Sequence, residues 1–258
     1  MAAAVTALVR PPGTRLAEGL VTHLERVPID LPLATRQWMA YCDALRSAGW
    51  DLVEVAGADH CPDAVFVEDT AVMFRNVAVI SRPGAESRRD EVTAVEPALR
   101  DLGCSINHIK APGTLDGGDV LKVGDTVYVG RGGRTNAEGI RQLRAILSPL
   151  GATVVAVPIH RVLHLKSAVT ALPDGSIIGH LPAVDDPAFF PRFVPMAEES
   201  GAHVVVLGDD RLLLAADCPK SAEQLTERGY DLTIVDISEY QKLEGCVTCL
   251  SIRLRSLG

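Results

Sequence analysis

The hydrophobic pattern along this chain alternates between a helical period and a strand period, and the alternation recurs. Residues 33–45 place Trp38, Tyr41 and Leu45 at helical spacing, Gly49 follows as a stop, and 51–55 alternates as a strand. Two apolar stretches, 64–74 and 77–81, then meet at Arg75-Asn76, which predicts a hairpin. A second copy predicts a helix over 87–102, with Ser87 as N-cap and Gly103 as stop. Its strand covers 105–109, and its hairpin joins 120–123 to 126–129 around Gly124-Asp125. A third copy predicts a helix over 136–147 ended by Gly151, a strand over 153–157, and a hairpin within 168–178 turning at Pro173-Asp174-Gly175.

The fourth copy reads as shortened. A helix over 187–199 and Gly201 lead directly into strands 203–207 and 211–216, with no separate connecting strand. The fifth has a helix over 221–227, Gly229, a strand over 232–235 and a terminal strand over 247–254. That last strand lacks a hairpin partner unless 5–10 at the other end supplies one, as closed rings do to hide their edges. Units of mixed helix and hairpin repeating every ~40–50 residues predict an α+β fold, a five-bladed αβ-propeller closed as a ring of ββαβ-type units. An open doubly wound sheet is the alternative, but a parallel sheet has no recurring hairpins. One domain over 1–258, with no linker, is expected.

Composition adds limits. The chain has 258 residues, 47% of them hydrophobic, so a substantial core is expected. A net charge of −8 argues against a phosphate-backbone partner and suits a cationic small molecule. No apolar run is long enough to span a bilayer, and the start, 1–9, lacks a charged region ahead of its apolar part, so neither membrane nor leader is expected. Six scattered cysteines suit reduced thiols in a cytoplasm rather than a disulfide framework. Neither GxGxxG nor GxxxxGK[ST] occurs, so nucleotide binding has no support.

Five features could carry chemistry. The stretch 244–252 reads as a strand presenting Cys249 near its start, although a cysteine beside leucine is ordinarily core. Cys246 and Cys249 form a C-x-x-C, but no second such pair exists to complete a metal site and no helix follows to favour a redox pair. His164, in Leu163-His164-Leu165-Lys166, is the candidate base, with more pointed surroundings than the other histidines; a satisfied core histidine is the plainer alternative. In Thr114-Leu115-Asp116-Gly117-Gly118-Asp119, a Gly-Gly step would let the backbone bend and swing Asp116 toward a partner. In 62–70, strand alternation would put Asp63 and Asp69 on one face and Phe66 and Glu68 on the other, carboxylates too costly to bury without a cation. Arg88-Arg89 and Arg134-Thr135-Asn136 stand where hairpins hand over to helices; solvated surface is their ordinary reading.

In this order the features closely resemble the dimethylarginine dimethylaminohydrolases of the guanidine-modifying (amidinotransferase/deiminase) superfamily. The resemblance runs from Leu20 to the C-terminus and is densest in 62–70, 81–89, 111–114, 134–136, 163–166 and 238–240. It implies the five-bladed pentein fold and hydrolysis of Nω,Nω-dimethyl-L-arginine, or the monomethyl form, to citrulline and dimethylamine or methylamine. It implies Cys249 as the nucleophile on the guanidinium carbon and His164 as the residue that protonates the departing amine and activates water against an S-alkylthiouronium intermediate. Asp116 would hold the histidine, and Asp69 and Glu68 would flank the guanidinium. Leu20, Asp63, Phe66, Arg88, Arg134 and Leu243 would complete the pocket, with the arginines reading the substrate carboxylate. No metal or organic cofactor is implied, and a homodimer is compatible with the family. Related arginine and agmatine deiminases carry an aspartate two places after the histidine. Here that place is Lys166, and a dimethylated nitrogen offers no N–H to such a carboxylate.

Two departures stand out. The family usually carries Ala-Ala-Asn-Cys where this chain has Ala202-His203-Val204-Val205, and Cys246 lies where some relatives are Gly-like, close enough in sequence to form a disulfide with the nucleophile. An arginine or agmatine deiminase and a catalytically silent guanidinium-binding propeller are the competing expectations.

Overall fold

A computed structural model describes residues 5–255; residues 1–4, part of the stretch weighed as a leader, lie outside them. The described residues form five three-stranded sheets. Each is an antiparallel hairpin plus a third strand lying parallel to the hairpin's second strand, reached by a crossover. The second unit pairs β3 (Ala71–Phe74) with β4 (Val77–Ile80), and β4 with β5 (Ser105–His108). The third pairs β6 (Val120–Val123), β7 (Thr126–Arg131) and β8 (Thr153–Pro158) in the same way. The fourth uses β9 (Val169–Ala171), β10 (Ile177–Gly179) and β11 (Phe193–Pro195), and the fifth β12 (Val204–Val206), β13 (Arg211–Ala215) and β14 (Asp231–Val235). The first unit joins the chain's two ends. Its strand β1 (Val5–Val9) runs antiparallel to β15 (Ile252–Arg255) and parallel to β2 (Asp51–Glu54). The N-terminal stretch does supply the missing partner.

Residues of β3, β6, β9, β12 and β15, one from each sheet, line a single cavity of about 600 Å³. The five sheets are therefore arranged around a common axis as a propeller. Core strands such as β3 and β4 are buried along their whole length, whereas the third strands, β2 and β5, are only half buried. The crossovers lie over that outer side.

Helix α1 (Leu31–Ser47) shows how sequence sets a crossover. Asp30 caps it by accepting from Leu33 N at 2.9 Å, and Gly49 ends it at φ 89°. Ala34, Gln37, Trp38, Tyr41, Cys42 and Leu45 form its buried stripe, packing against Val65, Phe66, Tyr240 and Val247. Each large apolar side chain buried there contributes about 1.5–3 kcal/mol. In α3 (Ala137–Leu147), Asn136 caps Gly139 N at 2.8 Å and also accepts from Thr114 N at 3.1 Å, tying the approach to Asp116 onto the helix start.

Four expectations change. The predicted helix 187–199 is a short 3-10 turn (Pro187–Phe189) followed by β11, because Pro187, Pro191 and Pro195 cannot sustain a helix. That segment holds the connecting strand thought to be missing, so the fourth unit has a complete sheet and lacks a helix. Helix 87–102 is instead a 3-10 stretch (Glu86–Val92) and then α2 (Val95–Asp101). Residues 61–66 are turns and Val67–Thr70 a 3-10 helix, so the alternating-face reading of 62–70 fails. The terminal strand begins only at Ile252, which leaves Cys249 in the turn before it.

Gly139 supplies a test. A Cβ there would lie within van der Waals overlap of the Thr114 carbonyl. Gly139→Ala should lower the urea midpoint, overpacking at about 1–3 kcal/mol outweighing the ~1 kcal/mol propensity gain of alanine in a helix. An unchanged or raised midpoint would show that the α3 contact is not tight.

Candidate active site

Every inner strand is entered through a loop or short 3-10 turn, and these entries converge. Val67–Thr70 brings Glu68 and Asp69 ahead of β3, and Gly117–Asp119 follows Asp116 ahead of β6. Leu165–Ser167 follows His164 ahead of β9, Ser200–Ala202 precedes His203 and β12, and Cys249 precedes β15. Neighbouring units thus place carboxylates, a histidine and a thiol at one end of the axis, all buried.

Asp69 is the junction. Its Oδ2 accepts from Arg88 Nη1 at 2.7 Å, and its Oδ1 accepts from Gly118 N at 2.8 Å and lies 3.8 Å from His164 Nδ1. Burial works against its charge, but His164 and Arg88 outweigh it and hold the carboxyl far below the usual carboxylate range. On the other ring edge, His164 Nε2 lies 3.0 Å from Asp116 Oδ2. Burial favours the neutral imidazole, yet the Asp69 and Asp116 carboxylates override it and push His164 up to about 9. Asp116 is held by the N–H of Gly84 at 2.8 Å. Asp119, pushed up to about 7 by burial, accepts from Leu165 N at 2.9 Å and fixes the turn after the histidine.

The Gly-Gly step is explained by space, not by a sharp bend. Neither glycine is left-handed; a Cβ on Gly118 would lie 2.6 Å from Asp69 Oδ1 and 2.7 Å from His164 Nδ1. Asp69, Asp116 and His164 are metal-ligand types, with polar atoms within 4.8 Å of one another. Arg88 on Asp69 and a histidine held protonated oppose a cation there.

Cys249 has a close partner in Cys246. Its Sγ is 3.3 Å from Cys246 Sγ, which is 3.2 Å from Thr248 Oγ1. The shared hydrogen bond lets the pair lose one proton easily and makes the second costly. The Cys246 contact, burial, Glu68 and Asp69 together push the Cys249 thiol up. The Cys249 carbonyl accepts from Glu68 N at 3.1 Å, so thiol and carboxylate are tied through backbone.

Glu68 Oε1 accepts from Lys166 Nζ at 2.6 Å and Arg253 Nη2 at 2.8 Å, while the buried Oε2 has no partner among the described residues. Arg134 is its opposite: its Nη1, 3.6 Å from Asp116 Oδ2, is a buried donor without a hydrogen bond. Arg88 departs from expectation. Its guanidinium is engaged by Asp69, by both oxygens of Glu91 and by the Asp63 and Phe66 carbonyls, so it offers no free fork to a carboxylate. The axial cavity reaches Glu68, Lys166 and Arg253 but is not lined by Cys249, His164 or Asp69, so this cavity lies outside the Asp69–His164–Cys249 cluster.

The residues expected to wall the pocket are placed by local contacts. Asp63 accepts from Leu20 N at 3.0 and 3.2 Å, and Glu244 accepts from the N–H groups of Thr22, His23 and Leu24, strapping this loop down at two points. Leu20 itself is exposed and Leu243 is buried. Phe66 packs edge-on to Tyr240 and so close to Gly245 that no Cβ would fit. Sequence reading missed Glu91, Arg253, Glu244 and the pairing role of Lys166. Glu91 alone had a signal, its i,i+3 spacing from Arg88.

No family model matches the chain. It is 66% identical over 251 residues to an N(G),N(G)-dimethylarginine dimethylaminohydrolase of Streptomyces coelicolor, covering 97% of each. It is 36% identical over 250 residues to the enzyme of that name from Pseudomonas aeruginosa, covering 95% of this chain and 98% of the other. A mutant of the Pseudomonas aeruginosa protein complexed with citrulline superposes with a TM-score of 0.91 at 34% identity, covering 98% of this chain and all of that one. The N-terminal domain of a cyanobacterial arginine dihydrolase shares the fold at a TM-score of 0.88, with 18% identity. Identity at this level over nearly the whole chain, with the converging entry loops, makes it a member of the dimethylarginine dimethylaminohydrolase family.

Proposed function

We propose that this chain hydrolyses Nω,Nω-dimethyl-L-arginine, and the monomethyl form, to citrulline and the free amine, with Cys249, His164 and Asp116 as its catalytic residues. One observation carries the reading beyond kinship: a buried carboxylate oxygen, Glu68 Oε2, and a buried guanidinium nitrogen, Arg134 Nη1, both lack hydrogen-bond partners among the described residues. An amino acid with a guanidinium at one end and a carboxylate at the other satisfies both. Each such charge-assisted bond is worth about 1.5–3 kcal/mol.

Chemistry follows from the electrostatics. Without substrate, Glu68 and Asp69 disfavour a thiolate at Cys249. A guanidinium cation beside them reverses that field, so binding itself activates the nucleophile. The sulfur attacks the central carbon, and protonated His164 gives its proton to the dimethylamine nitrogen as the C–N bond breaks. Neutral His164, oriented by Asp116, then takes a proton from water attacking the thiouronium carbon. Collapse releases citrulline and restores the thiolate. Arg88 acts here by fixing Asp69, Arg134 by reading the carboxylate, and Leu20, Asp63, Phe66 and Leu243 by walling the pocket. Lys166 and Arg253 hold Glu68 by one oxygen and leave the other for the cation. No helix among the described residues is long and apolar enough to cross a membrane. We read the setting as cytoplasmic, where thiols stay reduced.

The first test is citrulline release from dimethylarginine by wild type and Cys249→Ser. Activity in the wild type alone is expected; no citrulline from wild type would end the hydrolase reading, and ammonia release from arginine with dimethylarginine untouched would make it a deiminase. For the carboxylate site, Arg134→Lys should raise KM for dimethylarginine by roughly tenfold to a hundredfold, since a lysine cannot reproduce a planar fork. It should leave the weaker binding of a dimethylguanidine lacking a carboxylate unchanged. Equal losses on both would move the role of Arg134 to the Asp116–His164 pair.

The raised His164 also predicts a pH dependence. Its folded value, about 9, exceeds the ordinary 6.5, so its charge stabilises the folded state fully below 6.5, and that contribution is lost as pH rises through 9. Over that window the Tm of wild type should fall toward that of His164→Asn, while kcat falls as the general acid loses its proton. Parallel Tm profiles would mean His164 is neutral in the folded protein.

A further inference from the structure

We propose that Cys246 is the resolving thiol of an oxidation site centred on Cys249, so that peroxide converts the pair to a reversible disulfide that stops hydrolysis. The proposal rests on the reading of Cys249 as the nucleophile.

Geometry is the first support. Cys249 N donates to Cys246 O at 3.0 Å, closing a four-residue turn. Such a turn keeps its end Cα atoms within about 7 Å, and disulfides span Cα separations of about 4.4–6.8 Å. The sulfurs already stand 3.3 Å apart. Reaching a bond length of about 2.05 Å requires each to move by well under an ångström. Thr248 Oγ1, 3.2 Å from Cys246 Sγ, helps to orient that sulfur.

Selectivity is the second support. The remaining cysteines, Cys42, Cys61, Cys104 and Cys218, are all free, and burial pushes each thiol up, Cys42 and Cys218 to about 12. They stay protonated and unreactive. The hydrogen bond from Cys249 and the nearby ring of His203 favour a thiolate at Cys246, against the effect of burial. His203 is anchored with Nε2 2.8 Å from the Ser167 carbonyl. The departure at Ala202-His203-Val204-Val205 therefore supplies a group beside the thiol pair.

The chemistry balances with peroxide as oxidant. The proton the pair shares moves to Cys246, the Cys249 thiolate so formed attacks one peroxide oxygen, the O–O bond breaks, and the hydroxide released takes that proton from Cys246 to become water. This leaves a sulfenic acid. Cys246 thiolate then attacks the Cys249 sulfur, the S–O bond breaks, and a second water leaves. The two thiols have lost two electrons and two protons, and peroxide has become two waters. An external dithiol reverses the bond by exchange. Without Cys246 the sulfenic acid would persist and be open to irreversible oxidation by further peroxide.

The test compares wild type with Cys246→Ala and Cys246→Ser, each treated with hydrogen peroxide and then assayed for citrulline with and without dithiothreitol. Rates are expressed against each protein's own untreated rate, and intact mass is read in parallel. Wild type should lose activity and two hydrogens in mass, map a Cys246–Cys249 crosslink by peptide digestion, and recover with dithiol. The variants should gain oxygen and recover little. Saturating dimethylarginine should slow the loss in wild type. Equal recovery in wild type and both variants, or oxygen gain without a crosslink in wild type, would overturn the proposal. Should a variant fail to fold, the wild-type crosslink map still decides. Untreated wild type making no citrulline would sink the hydrolase reading alone. A complete crosslink with undiminished activity would overturn the proposal, since the disulfide would not stop hydrolysis, and would remove Cys249 from catalysis.

Discussion

The buried carboxylate of Asp69 is the constraint around which the centre of this molecule is arranged. An isolated ion there would cost several kcal/mol in lost hydration. Arg88, the N–H of Gly118 and the imidazole of His164 offset that cost, and they come from three different stretches of chain. Once Asp69 is charged, Arg88 must stay in place, Glu91 must hold the back of Arg88, and position 118 must lack a Cβ. The histidine is protonated for the same reason. Removing Asp69 would leave Arg88 and His164 as buried cations with fewer partners, and losses of about 3–5 kcal/mol are typical of breaking such a pair.

The propeller makes this arrangement reachable. Five inner strands around one axis bring five entry loops to one end, where no strand ladder competes for their backbone groups. Turns and bends leave N–H groups free to point inward, and Asp69 and Asp116 accept from those of Gly118 and Gly84. A strand through 62–70 would have committed the N–H groups of Glu68 and Asp69 to a neighbouring strand, whereas they bond the Cys249 and Phe66 carbonyls. This is why the alternation read there fails.

How much was legible follows the same line. Periodicity identified α1, α3 and the hairpins because Trp38, Tyr41 and Leu45, or Val120 to Val129, face one continuous core. It failed at 187–199, where Pro187, Pro191 and Pro195 break a helix, and at 244–252, where a turn precedes a short strand. Chemical identity was legible in residue types: Cys249, His164, Asp116, Glu68 and Asp69 were all singled out. Pairing was not. Nothing in the run Ile252-Arg253-Leu254-Arg255 says that Arg253 reaches Glu68, and nothing in Leu163-His164-Leu165-Lys166 says that Lys166 joins it. Those contacts join residues 98 or more positions apart, or 185 in the case of Arg253, and exist only once the ring has formed.

The Glu68 clamp also changes the argument about methyl groups. Lys166 first read as the absence of a second carboxylate, one that would be left unpaired against a dimethylated nitrogen. In the folded chain it does more. With Arg253 it saturates Oε1 of Glu68, so that only Oε2 faces a cation without a partner. A deiminase needs acceptors for every guanidinium N–H, whereas a dimethylated guanidinium has lost two of them. One free oxygen on Glu68, with Asp69 committed to Arg88, is a poorer match for arginine than for a cation with fewer donors. On the function proposed above, a preference for methylated substrate would follow from the charge balance of the site itself, through cations that reduce its acceptors to the number the substrate can satisfy.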